Sequence, residues 1–141
     1  MIDTHELKKR DLYLNKIIAF QDTEPVKVVT GIRRCGKSSL LKLMTLHLKE
    51  NGVTDNQILE MNFESHAYKN MNSDSFYEYV KQHIVPNKRM YLFFDEVQKV
   101  PQWQNAVNSF RIDLDCDIYV TGSNAFLLSA DLATLFTGRY I

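Results

Sequence analysis

Residues 28–41 read Val28-Val29-Thr30-Gly31-Ile32-Arg33-Arg34-Cys35-Gly36-Lys37-Ser38-Ser39-Leu40-Leu41. Gly31, four intervening residues and Gly36-Lys37-Ser38 reproduce the phosphate-loop pattern that grips a nucleoside triphosphate. Gly31 and Gly36 admit torsions closed to residues with a Cβ, so the loop can fold around phosphates with its N–H groups turned inward. Lys37 brings a mobile cation to the β- and γ-phosphates and Ser38 a hydroxyl to Mg²⁺, while the N-terminus of the following helix adds partial positive charge. Nucleotide contacts are therefore expected from Gly31, Ile32, Arg33, Arg34, Cys35, Gly36, Lys37, Ser38 and Ser39. The flanks agree with this order of parts. Residues 25–30 are a short β-branched run that predicts a strand, and residues 38–50 carry Leu40, Leu41, Met44 and Leu48 at helical spacing before Asn51-Gly52 supplies a stop.

A second motif lies downstream. Met90-Tyr91-Leu92-Phe93-Phe94-Asp95-Glu96 is an unbroken apolar run ending in two carboxylates, as expected of a strand buried on both faces that delivers acids at its C-terminal end. This is a Walker-B pattern: Asp95 is expected to hold Mg²⁺ through a water, and Glu96 to orient and deprotonate an attacking water. Taken alone, the same residues also fit an acidic strand end facing solvent. Val120-Thr121-Gly122-Ser123-Asn124 ends a further predicted strand, and the C-terminal edge of a parallel sheet is where α/β proteins bind ligands. Asn124 fits either a hydrogen-bonding role toward the γ-phosphate or attacking water, or a Gly-Ser-Asn turn that caps the next helix.

At 141 residues with 45% hydrophobic composition the chain is one domain, residues 1–141, with enough apolar content for a sizeable core. Seventeen basic residues balance seventeen acidic ones, so no whole-chain attraction to nucleic acid or membrane is expected, and no nucleic-acid role is assigned. Lys8-Lys9-Arg10 fits either a local basic patch or, as is more usual for three charges on a terminal segment, a solvated charged face. No segment approaches a membrane span and the N-terminus lacks the apolar stretch of a signal peptide, which makes the cytoplasm the default location. Cys35 and Cys116 form no metal or disulfide framework. Cys35 is read as a small residue tolerated in the loop, or as a thiol activated by its basic neighbours. His5, His47, His66 and His83 show no metal-ligand spacing.

The remaining periodicities predict helices over residues 7–20, from Ser73 as N-cap to about Val85, from Pro101 to about Leu114, and over 126–136, with strands over 57–63 and 117–122. Strands and helices alternate throughout, which argues for α/β architecture around a parallel sheet with right-handed crossovers.

Together, residues 31–38, Phe93-Phe94-Asp95-Glu96-Val97-Gln98-Lys99-Val100-Pro101-Gln102-Trp103, residues 121–124 and Leu135-Phe136-Thr137-Gly138-Arg139-Tyr140 resemble a prokaryotic AAA+ ATPase family. Its members join an N-terminal ATPase module to a long C-terminal region with a domain of unknown function. The resemblance spans residues 13–141. It implies a three-layer P-loop NTPase core of AAA+ type with strand order 5-1-4-3-2, and ATP with Mg²⁺ as the bound species. It implies that Asn124 is the sensor residue. It also places Arg139 where such proteins carry an arginine finger reaching the nucleotide of a neighbouring subunit, hence a homo-oligomer in the full-length form, although an arginine ending a helix equally fits pairing with the helix dipole. The chain stops at Ile141, where the fifth strand is expected to begin, so a truncated module lacking that strand and the helical lid is anticipated.

Two functions follow as expectations: Mg-dependent ATP binding and hydrolysis, or a nucleotide-binding regulatory module with little or no turnover. A small-molecule kinase is disfavoured because an Asp-Glu pair suits water activation, which a kinase must avoid. A GTPase is disfavoured because no Asp-x-x-Gly occurs and Asn87-Lys88-Arg89-Met90 lacks the aspartate needed for guanine.

Overall fold

The computed structural model describes residues 26–29 and 34–122, with side chains placed at Val26 and from Leu41 onward. In chain order the elements are β1 (Lys27–Val29), α1 (Arg34–Glu50), β2 (Ile58–Asn62), α2 (Ser73–Gln82), β3 (Met90–Asp95), α3 (Trp103–Asp113) and β4 (Cys116–Thr121). The strands form one parallel sheet in the order β1-β4-β3-β2. That is the expected order for the four described strands. The expected fifth strand and the helices over 7–20 and 126–136 lie outside the described residues.

Strand alternation builds three layers. Met90, Leu92 and Phe94 of β3, with Ile118 and Val120 of β4, pack into one core with Phe76 and Val80 of α2 and with Trp103, Ala106, Val107 and Phe110 of α3. Tyr91 and Phe93 of β3, with Tyr119 of β4, face the other way and pack on Leu41, Met44 and Leu48 of α1. The α2/α3 core is an aromatic cluster: Phe76 meets Phe94 edge-on with centroids 4.8 Å apart, and Phe110 at 5.2 Å. On the α1 face, Phe93 and Tyr119 stack at 4.8 Å. Every residue of β3 is buried, as its unbroken apolar run anticipates for a central strand of a covered parallel sheet.

Helix ends depart from the sequence expectations for local reasons. α1 begins at Arg34 rather than Ser38. Apolar periodicity starts only at Leu40, whereas backbone hydrogen bonding needs no apolar side chain, so the pattern underestimates the N-terminal turn. Its C-terminus follows expectation: Gly52, at φ 94°, lets the Val53 N–H reach back to the Leu48 carbonyl at 3.1 Å. The N-cap of α2 is Asn72, not Ser73: its side chain accepts the Ser75 N–H and its own N–H donates to Ser75 Oγ, both at 2.9 Å. That helix ends at Gln82, short of the expected Val85, and α3 starts at Trp103, two residues after Pro101. No helix among the described residues is long and apolar enough to cross a membrane.

Candidate functional site

Parallel pairing aligns the C-terminal strand ends. Val29 of β1 is in register with Thr121 of β4, Phe94 of β3 with Val120, and Asn62 of β2 with Asp95. Asp95 shares its parity with Tyr91 and Phe93, and Thr121 shares its own with Asp117 and Tyr119, so both lie on the α1 face at one sheet edge. β1 ends two residues before Gly31, and α1 begins at Arg34.

Within α1, the first N–H groups, from Arg34 through Lys37, have no intrahelical partner by helix geometry, and the first turn contains no acidic residue. This is the electrostatic requirement for an anion at a helix N-terminus. Arg34, Cys35, Gly36, Lys37, Ser38 and Ser39 thus occupy the first two turns of α1, while Gly31, Ile32 and Arg33 lie outside the described residues, as do Asn124 and Arg139.

The acid pair is held by Thr121. This fully buried threonine donates its O–H to Asp95 Oδ1, and its oxygen accepts the Glu96 N–H at 3.0 Å. The Asp95 carbonyl accepts the Phe63 N–H at 3.0 Å, which extends the β2–β3 ladder beyond the strands. Glu96 adopts the left-handed conformation, φ 56° and ψ 47°, and the chain turns there into a short 3₁₀ segment, Val97–Lys99, whose Val97 drops into the α2/α3 core. The two acids are therefore successive in sequence but separated by a sharp change in backbone direction. Glu96 Oε2 accepts a hydrogen bond from Gln98 Nε2 at 2.7 Å, and Gln98 Oε1 is buried without a partner.

Beside Asp95 lies a cleft of about 190 Å³, lined by Leu41 and Lys42 of α1, residues 60–62 of β2, and Phe93 and Asp95 of β3. It is smaller than the roughly 300–1,000 Å³ of a complete ligand pocket and matches only the acid end of one. A larger hollow of about 590 Å³ between α2 and α3 shares no residue with this edge, and Asp74, Glu78 and Asp113 on its wall would repel a triphosphate.

Among the described residues no group of three His, Cys, Asp or Glu side chains could hold a metal ion. A hard cation at Asp95 would thus take most of its oxygens from phosphate and water, the usual arrangement for Mg²⁺ at nucleotide sites, and the carboxylate chemistry fits it. Thr121 and Gln98 were not anticipated as site residues. Thr121 sits in the quoted 120–124 stretch, but its relation to Asp95 depends on the β3–β4 register; Gln98 depends on the turn at Glu96, which no local pattern signals.

A family model described as an AAA domain matches residues 23–141. An uncharacterised protein of Haemophilus influenzae is 41% identical over 134 residues, covering 94% of this chain and 34% of that protein. One from Methanocaldococcus jannaschii is 30% identical over 141 residues, covering 99% and 30%. The chain thus spans about a third of the length of these relatives. Among solved structures, a Drosophila ORC bound to AT-rich DNA superposes with TM-score 0.61 at 9% identity, covering 97% of this chain and 55% of that one. A DNA polymerase III gamma subunit-related protein of Thermotoga maritima gives 0.60 at 10%, covering 91% and 45%, and RuvB from the same organism 0.55 at 16%, covering 100% and 45%. At such identities the likeness is one of fold.

Proposed function

The chain belongs to the AAA domain family, and we propose that it is a single ATPase module that binds ATP with Mg²⁺ and hydrolyses it. The observation that carries this reading is the placement of Asp95 and Glu96 at the C-terminal end of central strand β3, on the edge toward which β1 leads the phosphate-loop sequence. The N–H groups at the start of α1, with Lys37 and Ser38, would cradle the phosphates. Asp95 and Ser38 would hold Mg²⁺, which when bound neutralises charge on the β- and γ-phosphate oxygens. Glu96 would orient the attacking water and take its proton. Asn124 as sensor and Arg139 as a finger acting across a homo-oligomer interface complete the proposal, and both rest on family resemblance. A cytoplasmic location accords with it.

Two measurements test the reading. Mg·ATP at about 100 times Kd should stabilise the fold by about 2.7 kcal/mol, and Lys37→Ala should abolish that rise in melting temperature. Glu96→Gln should keep nucleotide affinity while losing phosphate release, whereas Asp95→Ala should weaken the Mg²⁺-dependent part of binding. No ATP-induced shift in a folded sample overturns the proposal, and undiminished turnover in the Gln variant removes Glu96 as the base.

A second reading, nucleotide binding with very slow turnover, is supported by the Gln98 amide on Glu96 Oε2. A carboxylate oxygen already accepting a hydrogen bond is a weaker proton acceptor. Turnover that rises in Gln98→Ala would favour this second reading.

A further inference from the structure

We infer that Thr121 is a positioning residue for the acid pair, tying the Asp95 carboxylate and the Glu96 backbone into one unit that tunes Mg²⁺ affinity; this rests on the ATPase reading above. A fully buried hydroxyl must find hydrogen-bond partners, and both partners of this one belong to the two acids. Among the described residues no other group engages its oxygen. Its place in the core asks only for a β-branched shape, which valine would supply; the hydroxyl is what the acids require.

Each of its bonds has a separate consequence. Donation to Oδ1 fixes the orientation of the Asp95 carboxylate, because rotation about its terminal torsion would break a buried hydrogen bond. A metal-ligating carboxylate held in this way binds at lower entropic cost, the usual effect of a hydrogen-bonded outer layer around a metal site. Acceptance from the Glu96 N–H anchors the left-handed turn that the strand ladder alone would not hold. Thr121 therefore acts through Asp95 and Glu96, and need touch neither nucleotide nor metal.

The test uses the present chain with three substitutions: Thr121→Val, Thr121→Ala and Thr121→Ser. Each is checked for folding by near-UV circular dichroism, then titrated with a fluorescent ATP analogue in EDTA and across a Mg²⁺ series. The inference expects Val and Ala variants to bind the metal-free nucleotide within twofold of the parent, while the Mg²⁺ concentration at half-saturation rises about tenfold, the low end for loss of an outer-layer partner. Thr121→Ser should return to within about threefold of the parent. Should the Val variant fail to fold, the Ser/Ala pair still isolates the hydroxyl, since these two differ by one oxygen atom. Unchanged Mg²⁺ dependence in Val and Ala, or an equal loss with and without Mg²⁺, overturns the inference alone. A folded parent chain that binds no nucleotide in any condition overturns the ATPase reading, and this inference falls with it.

Discussion

Glu96 sits at φ 56° and ψ 47°, and the physics of that turn predicts a reversal of an ordinary substitution rule. A non-glycine residue in the left-handed region carries a penalty of roughly 1–2 kcal/mol from crowding of Cβ against the following carbonyl. Glycine escapes the penalty but brings extra freedom to the unfolded chain, which costs roughly 0.5–1 kcal/mol. At an ordinary helix or strand position only the second effect operates, and alanine is the more stable. At position 96 the difference should reverse, with Glu96→Gly more stable than Glu96→Ala by about 0.5–1 kcal/mol. Both variants lose the Gln98 contact and the carboxylate, so these cancel in the comparison. For a chain of this size the gap corresponds to about 2–4 °C in melting temperature. Paired thermal and urea melts in the absence of nucleotide measure it. An alanine variant as stable as the glycine variant would refute the claim that strain is held at this turn. On the proposed role of Glu96 as the base, both variants should also be inactive in turnover, and strain at the turn together with that loss would mark Glu96 as serving chemistry at the expense of stability.

The packing makes further claims. Phe94 is fully buried, with ring centroids 4.8 Å from Phe76 and 5.8 Å from Phe110, so Phe94→Ala should cost about 3–5 kcal/mol in urea unfolding at unchanged m-value. Asn72→Ala should cost about 1 kcal/mol through loss of the reciprocal cap, and Ser73→Ala much less; equal effects would return the cap to Ser73. Burial, reinforced by a hydrogen bond with Tyr79, pushes the Tyr68 phenol from the ordinary 10 up to about 12. Since its folded value lies above its unfolded one, the neutral phenol's contribution to stability is complete below pH 10 and is lost as pH rises toward 12. Phenolate absorbance compared with Tyr68→Phe should show this late titration, and Tyr79→Phe should lower it only in part, burial being the larger cause.

The apolar run into Asp95 and the alternation of strand and helix patterns were legible in the residues, because each depends on neighbours close in sequence. A continuous run such as Met90 to Phe94 reports a strand covered on both faces, and the structure buries all of it. Periodicity failed where it carries no information: the first turn of α1 holds Cys35 as its one small apolar residue, too little to show a period, and the choice between Asn72 and Ser73 as cap turns on a backbone torsion rather than on residue type. The sequence by itself determined which strand must be covered on both faces and that two carboxylates stand at its C-terminal end. Only the tertiary structure decided that Thr121 serves both acids and that Gln98 occupies Glu96. Those contacts depend on the parallel register between β3 and β4 and on a left-handed turn, and both are set by packing across 25 or more residues of chain rather than by any local propensity.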